Sequence, residues 1–185
     1  MPGSEVFYQE MPDGQVDFRA PFFGHTSHHA VWGDQVVWAV TDTFQLNVHD
    51  REGRRVMIIR KDQPVRRVRD DEIQPLIEQR VVAVRDPAWR PLVRKMYEAV
   101  PRGTMPVLGG IAVDDEGNLW VASYAEPGDT ANVRFVFERE GTWLGAVTLP
   151  RGFAPRHIGA DVVLGRWRDS LDVEHLQLRR LRRGR

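Results

Sequence analysis

The chain has 185 residues, with 26 basic and 26 acidic side chains and therefore a formal net charge of zero. That length supports one domain with a real core, or a few units of a larger repeat. The charge balance excludes a global attraction to nucleic acid or anionic membrane, and the absence of cysteine excludes disulfides, thiolate-bound zinc and thiol catalysis while leaving the redox compartment open.

The first residues, MPGSEVFYQEMPDG, contain neither a basic n-region nor an apolar h-region, so no signal peptide is read there. No apolar run is long enough to span a bilayer. The reading is a soluble chain without an export signal, with its compartment left open. Within residues 1–20, VFYQE and QVDFRA flank Pro12-Asp13-Gly14, which predicts a hairpin with Asp-Gly supplying the turn.

Residues 21–62 form the first of three units with shared punctuation. AVWGDQVVWAV from Ala30, IAVDDEGNLWVA from Ile111 and HIGADVVLGRW from His157 each run an apolar strand into an acidic, Gly-containing turn and out again. The first unit predicts strands Ser27–Trp32, Val36–Thr41, Gln45–Asp50 and Arg55–Arg60, with turns at Gly33-Asp34 and Asp50-Arg51-Glu52-Gly53. Six Trp and eight Phe suit such a sheet-rich core.

Residues 70–100 read as two helices. Asp71-Glu72-Ile73-Gln74 resembles a capping box, and Pro75 sits in the first turn, where a missing N–H costs little. Ile73, Leu76, Ile77, Val81 and Val84 follow at helical spacing. Asp86-Pro87 starts the second helix with the preferred cap and first residue. Trp89, Leu92, Val93, Met96 and Tyr97 line one side of it, and Pro101 and Gly103 end it.

The second unit, residues 106–150, predicts strands Gly110–Asp114, Leu119–Tyr124, Val133–Glu138 and Trp143–Leu149. The third, residues 155–183, predicts only Arg156–Ile158, Val162–Trp167 and Val173–Leu181, one strand short of the pattern. Units that cannot bury both their own faces mark a repeat-built β architecture.

Three segments carry a resemblance over residues 21–181: GIAVDDEGNLWVA (Gly110–Ala122), DPAW (Asp86–Trp89) and the terminal VVLGRWRDSLDVEHLQLRRL. The chain resembles the C-terminal half of a bacterial six-bladed β-propeller of the NHL-repeat-like group. The resemblance implies a mainly β fold of two to three four-stranded antiparallel propeller blades, with the helical pair inserted between blades. A closed six-bladed ring takes roughly 250–300 residues, so the implied partners are further blades or a second copy. Members of the group are often exported, which implies a periplasmic or extracellular location if upstream sequence carries a signal.

The densest polar cluster is Gly24-His25-Thr26-Ser27-His28-His29, at the start of the first unit's innermost strand. His25 and His28 are candidate zinc ligands by residue type, but alternation sends His28 and His29 to opposite faces and no third ligand stands at a fixed spacing. No metal is assigned. Asp114-Asp115-Glu116-Gly117-Asn118 lacks the ligand alternation of a calcium loop and reads as a hairpin turn. Trp38 and Trp120 share a motif position that predicts packing between units, with Trp167 offset from it. Arg166, Arg168, Asp169, Asp172, Glu174 and His175 read as cross-strand charge pairs, and the basic tail Arg179–Arg185 as a solvated end with no interleaved aromatics for nucleic acid.

The chain lacks G-x-S-x-G, H-E-x-x-H, G-x-G-x-x-G and the P-loop, so no catalytic residue and no cofactor are assigned. The candidate ligand-binding set is His25, His28, His29, Gly109, Gly110 and Arg156, each at or near the start of an innermost strand and so at the mouth of the implied channel. The function expected is a binding or scaffold module for a small ligand or protein. The alternative is a metal-dependent, lactonase-like hydrolase with its site at the same mouth.

Overall fold

Short strands punctuated by Gly and Asp produce, among the described residues, a mainly β structure of four antiparallel sheets, with two α-helices in one connection. A computed structural model describes residues 3–10 and 14–182; Pro12 and Asp13 of the expected hairpin turn, and the last residues of the basic tail, lie outside them. The chain divides into two units, one of Met1–Ser27 with Gln63–Pro106 and the other of His28–Asp62 with Val107–Arg185.

In the first unit, β1 (Phe7–Glu10) pairs antiparallel with β2 (Val16–Arg19). Helix α1 (Asp70–Val82) buries Ile73, Ile77 and Val81 of the predicted stripe, while Leu76 is half-buried and Val84 lies beyond the helix end. Its start differs from the expected capping box. Asp71 is turned onto the Arg69 guanidinium at 2.9 Å, and Glu72 instead closes the helix end by accepting from the Arg69 amide at 2.9 Å. Asp86 caps as expected, accepting from the Ala88 amide at 3.0 Å, and the chain makes a 3-10 turn over Pro87–Trp89 before α2 (Arg90–Glu98). Met96 is the buried residue of α2, whereas Trp89 is exposed. Arg94 and Glu78 join the two helices through a two-pronged ion pair, one prong at 2.8 Å. No helix among the described residues is long and apolar enough to cross a membrane.

Glu72 also receives both prongs of Arg66, at 2.9 and 2.7 Å. These bonds, with the Arg69 amide, hold its carboxyl at about 2 against an ordinary 4.5. A depressed carboxyl stabilises the folded chain above the unfolded value and loses that contribution as pH falls toward the folded one. Glu72→Gln should therefore show a shallower loss of ellipticity at 222 nm than the parent between about pH 4.5 and 2; an unchanged acid limb would refute the assignment.

The second unit holds three meanders. The first sheet runs β3 (Ser27–Trp32), β4 (Gln35–Val40), β5 (Gln45–His49), β6 (Arg55–Arg60), in that spatial order. The second runs β7 (Leu108–Val113), β8 (Leu119–Ser123), β9 (Ala131–Phe137), β10 (Trp143–Pro150), and the third β11 (Ala154–Ile158), β12 (Val162–Arg168), β13 (Glu174–Arg180). Strand alternation gives the second sheet two apolar faces. Leu119, Val121 and Phe137 pack with Trp32, Val37, Leu46 and Val48 of the first sheet. Trp120, Val136 and Leu149 pack with Phe153, Ile158 and Val163 around the third. The second sheet is thus the shared layer.

Trp120 lies in that core, but Trp38 does not. Val37 and Ala39 take the buried face of β4, leaving Trp38 half-buried on the other, its indole N–H donating to His49 Nδ1 at 3.1 Å. The shorter Gly33-Asp34 turn starts β4 facing the following sheet, whereas Leu119 starts β8 facing the preceding one. An equal position in the motif therefore does not mean an equal face.

The β7–β8 turn ties the three meanders together. Asp114 Oδ1 accepts from the Glu116 and Asn118 amides at 3.0 and 2.7 Å, and Oδ2 from Asn118 Nδ2 and Trp120 Nε1 at 2.9 and 2.8 Å. Gly117 supplies the positive φ of 83° that this turn needs. Trp32, at the end of β3, donates its indole N–H to the Gly117 carbonyl at 2.6 Å. The Asp115 amide donates to the carbonyl of Ile158, at the end of β11, at 3.0 Å. The ends of two first strands are thereby fixed against the turn that follows the third.

Candidate functional site

Each meander begins on an edge strand, β3, β7 or β11; His28 and His29 lie near the start of β3, Gly109 and Gly110 near that of β7, and Arg156 near that of β11. Both β7 and β11 are interrupted by a β-bulge there. In β7 the register shifts between Leu108 and Gly110, leaving Gly109 as the extra residue. In β11 it shifts between Pro155 and His157, leaving Arg156. Bulges bend a strand and re-aim its side chains. A Cβ on Gly109 would stand 3.2 Å from the Ser123 carbonyl oxygen, so glycine there permits a close backbone approach. Arg156 is exposed.

The histidines separate by environment. His25 belongs to the first unit and is buried, with Nε2 on the Thr104 hydroxyl at 2.9 Å and its amide donating to Glu5 at 2.9 Å. It is a cross-link between chain segments. His28 and His29 lie in the second unit on alternate positions of β3, His28 half-buried and His29 exposed. Burial, and then the neighbouring His29, push the His28 imidazole below its ordinary value. Among the described residues no group of three His, Asp or Glu side chains is arranged to hold a metal ion. The Asp114 turn matches the hairpin reading, since both carboxylate oxygens are taken by N–H donors. Arg166 and Arg168 pair with Glu174 at 2.6 and 2.5 Å, and Asp169 with His175 at 2.9 Å, so that charged stretch is occupied with itself.

The second sheet carries a feature that the sequence reading missed. Gly110, Ala122, Arg134 and Val147 are directly paired across β7, β8, β9 and β10, so they form one rung and share a face. That face is the one on which Trp120 and Val136 meet the third sheet. A Cβ on Gly110 would meet no atom within 4 Å, and Ala122 beside it is small. The rung therefore has an opening at one end and a guanidinium further along, about 10 Å away over two strand spacings.

Arg134 is half-buried with its Nε enclosed and without an acceptor. Burial pushes the guanidinium below its ordinary value. Asn132 stands two residues away on the same face of β9, and its Oδ1 is likewise enclosed without a donor. The sequence signal was present: a lone arginine interrupts the apolar run of ANVRFVF. Its isolation became visible only once the strand register showed that its rung neighbours are Ala122 and Val147.

No known family's sequence model matches the chain, and no curated protein matches it significantly.

Proposed function

We propose that the chain is a propeller-type binding module, built from blades like those of the bacterial six-bladed, NHL-repeat-like group. Its first strands form the side that meets a small ligand or partner protein. Further blades, or a second copy of the chain, complete the ring. Helices α1 and α2 are then an insert between the first and second blades. One observation carries this reading: three antiparallel meanders are stacked through a shared middle sheet, with β3 and β11 both bonded at their ends to the β7–β8 turn. A blade covers both its faces only when flanked on both sides, and the third sheet leaves Leu176 and Leu178 exposed at 76% and 67%.

Exposed apolar sheet surface and open strand edges favour association. Light scattering across a concentration series should find a discrete oligomer, dimeric or larger, of the full chain. A stable monomer at every concentration would overturn the open-propeller reading.

A further inference from the structure

The stack of three meanders leaves an open face at each end. The second sheet packs on one side with Leu46 and Val48 of the first sheet and on the other with Ile158 and Val163 of the third. On the first sheet, strand alternation puts Val31, Trp38 and Val56 opposite the core-facing Trp32, Val37 and Met57. Val31 and Val56 are 71% and 51% exposed. On the third sheet, Leu178 pairs with Leu164 and Leu176 with Arg166. All four lie opposite Val163 and Trp167, which pack toward the second sheet. Each open face thus carries an apolar block. The polar side chains beside it are bonded among themselves: Gln45 with Asn47 and Arg60 on the first sheet, and Glu174 with Arg166 and Arg168 on the third.

Within the chain, one face of a sheet is covered by the sheet that follows it in sequence, the first by the second and the second by the third. Among the described residues no meander follows the third or precedes the first. We infer that the open face of the third sheet docks on the open face of the first sheet of a second copy, and that two copies close on each other through two such contacts. This rests on the propeller reading, which sets six sheets to the ring and hence closure at two copies. A head-to-tail contact joins different faces of the two partners, unlike an isologous one in which the same face meets itself. Area favours the head-to-tail form. Strand spacing and rise give each face a footprint of roughly 300 Å². Two faces per copy, with side-chain relief, come close to the roughly 800 Å² that each partner buries in a stable complex, and one face falls well short.

The test is native mass by light scattering of the full chain, of Val31→Asp, of Leu178→Lys, and of the two variants mixed in equal amounts. Both side chains are mostly exposed in the single chain, so each variant should keep the parent's far-ultraviolet circular dichroism. Each places an unpaired charge in both contacts of its own dimer, and its Kd should rise about a thousandfold or more. The mixture should recover the dimer mass at a concentration where each variant alone is monomeric. In the mixed dimer one contact is unaltered on both sides, and the other sets opposite charges face to face.

An isologous contact gives a different pattern. If third sheets met each other, Val31→Asp would stay dimeric; if first sheets met, Leu178→Lys would; in neither case would mixing restore what a variant lost. Any of these results overturns the inference, as does a parent that grows beyond the dimer. Val31→Ser and Leu178→Ser add no charge and guard against a charged variant that fails to fold. Each should weaken the dimer about tenfold or more, and an unchanged Kd for either overturns the inference. The parent's own mass separates this failure from that of the propeller reading. A parent that is monomeric at every concentration removes the open propeller itself, whereas an oligomer that ignores these variants removes only the docking faces.

Discussion

Asp114→Ala is expected to lower the unfolding free energy by about 3–5 kcal/mol, measured by urea denaturation with tryptophan fluorescence. The carboxylate organises its turn from within. Two backbone amides converge on Oδ1, and the Asn118 amide group and Trp120 indole on Oδ2. Alanine leaves the Trp120 N–H enclosed in the core between the second and third sheets without an acceptor, at a general cost of about 1–3 kcal/mol, and loses the charge-assisted amide bonds as well. The damage spreads because Gly117 and Asp115 of the same turn hold Trp32 and Ile158. Asp114→Asn is expected to fall between parent and alanine. Its carbonyl can still serve the two amides, but its NH2 would then confront two donors. A loss below about 1 kcal/mol for the alanine variant would show that the turn forms without its carboxylate.

The parts of this fold that were legible in sequence are those set by local chemistry. Asp-Gly turns and apolar alternation located each strand of the three meanders to within a residue or two, and Asp86-Pro87 located a cap. Legibility ended where a side chain's fate depends on pairing register. Trp38 and Trp120 stand alike beside their turns, yet only Trp120 enters the core, because turn length decides which face a strand begins on. The α1 cap was misplaced because Asp71 found Arg69, a neighbour that propensity does not weigh against the helix end. In the candidate site, Gly109, Gly110 and Arg156 could be placed near strand starts, but their bulges could not be foreseen from residue type. Arg134 was passed over because a charged residue inside a strand usually marks a solvated face. Only the register puts it between Ala122 and Val147 on an enclosed one.

Gly165→Ala should destabilise the chain by about 3 kcal/mol, against the ordinary effect of the substitution. Gly165 lies within β12 with no positive φ, and Gly to Ala in a strand generally adds about 0.5–1 kcal/mol of stability through lost chain entropy. Here the new Cβ would stand 2.7 Å from both Cε atoms of Phe153, and closer still to Cζ. Phe153 is 1% exposed among Trp120, Val136, Ile158 and Val163, so the ring cannot swing aside without displacing the layer that joins the second and third sheets. Gly103→Ala is the control, since its Cβ meets nothing within 4 Å, and it should be neutral or slightly stabilising. Phe153→Ala alone should cost about 3–5 kcal/mol by opening a cavity. The double variant should then recover about 1–3 kcal/mol relative to the sum of the two, because the added methyl partly fills the space the ring vacates. Additive losses would mean that Phe153 does not rest on β12, and that the third sheet is held to the second by the remaining apolar residues and by the bonds from Asp115 to the Ile158 carbonyl and the His157 imidazole.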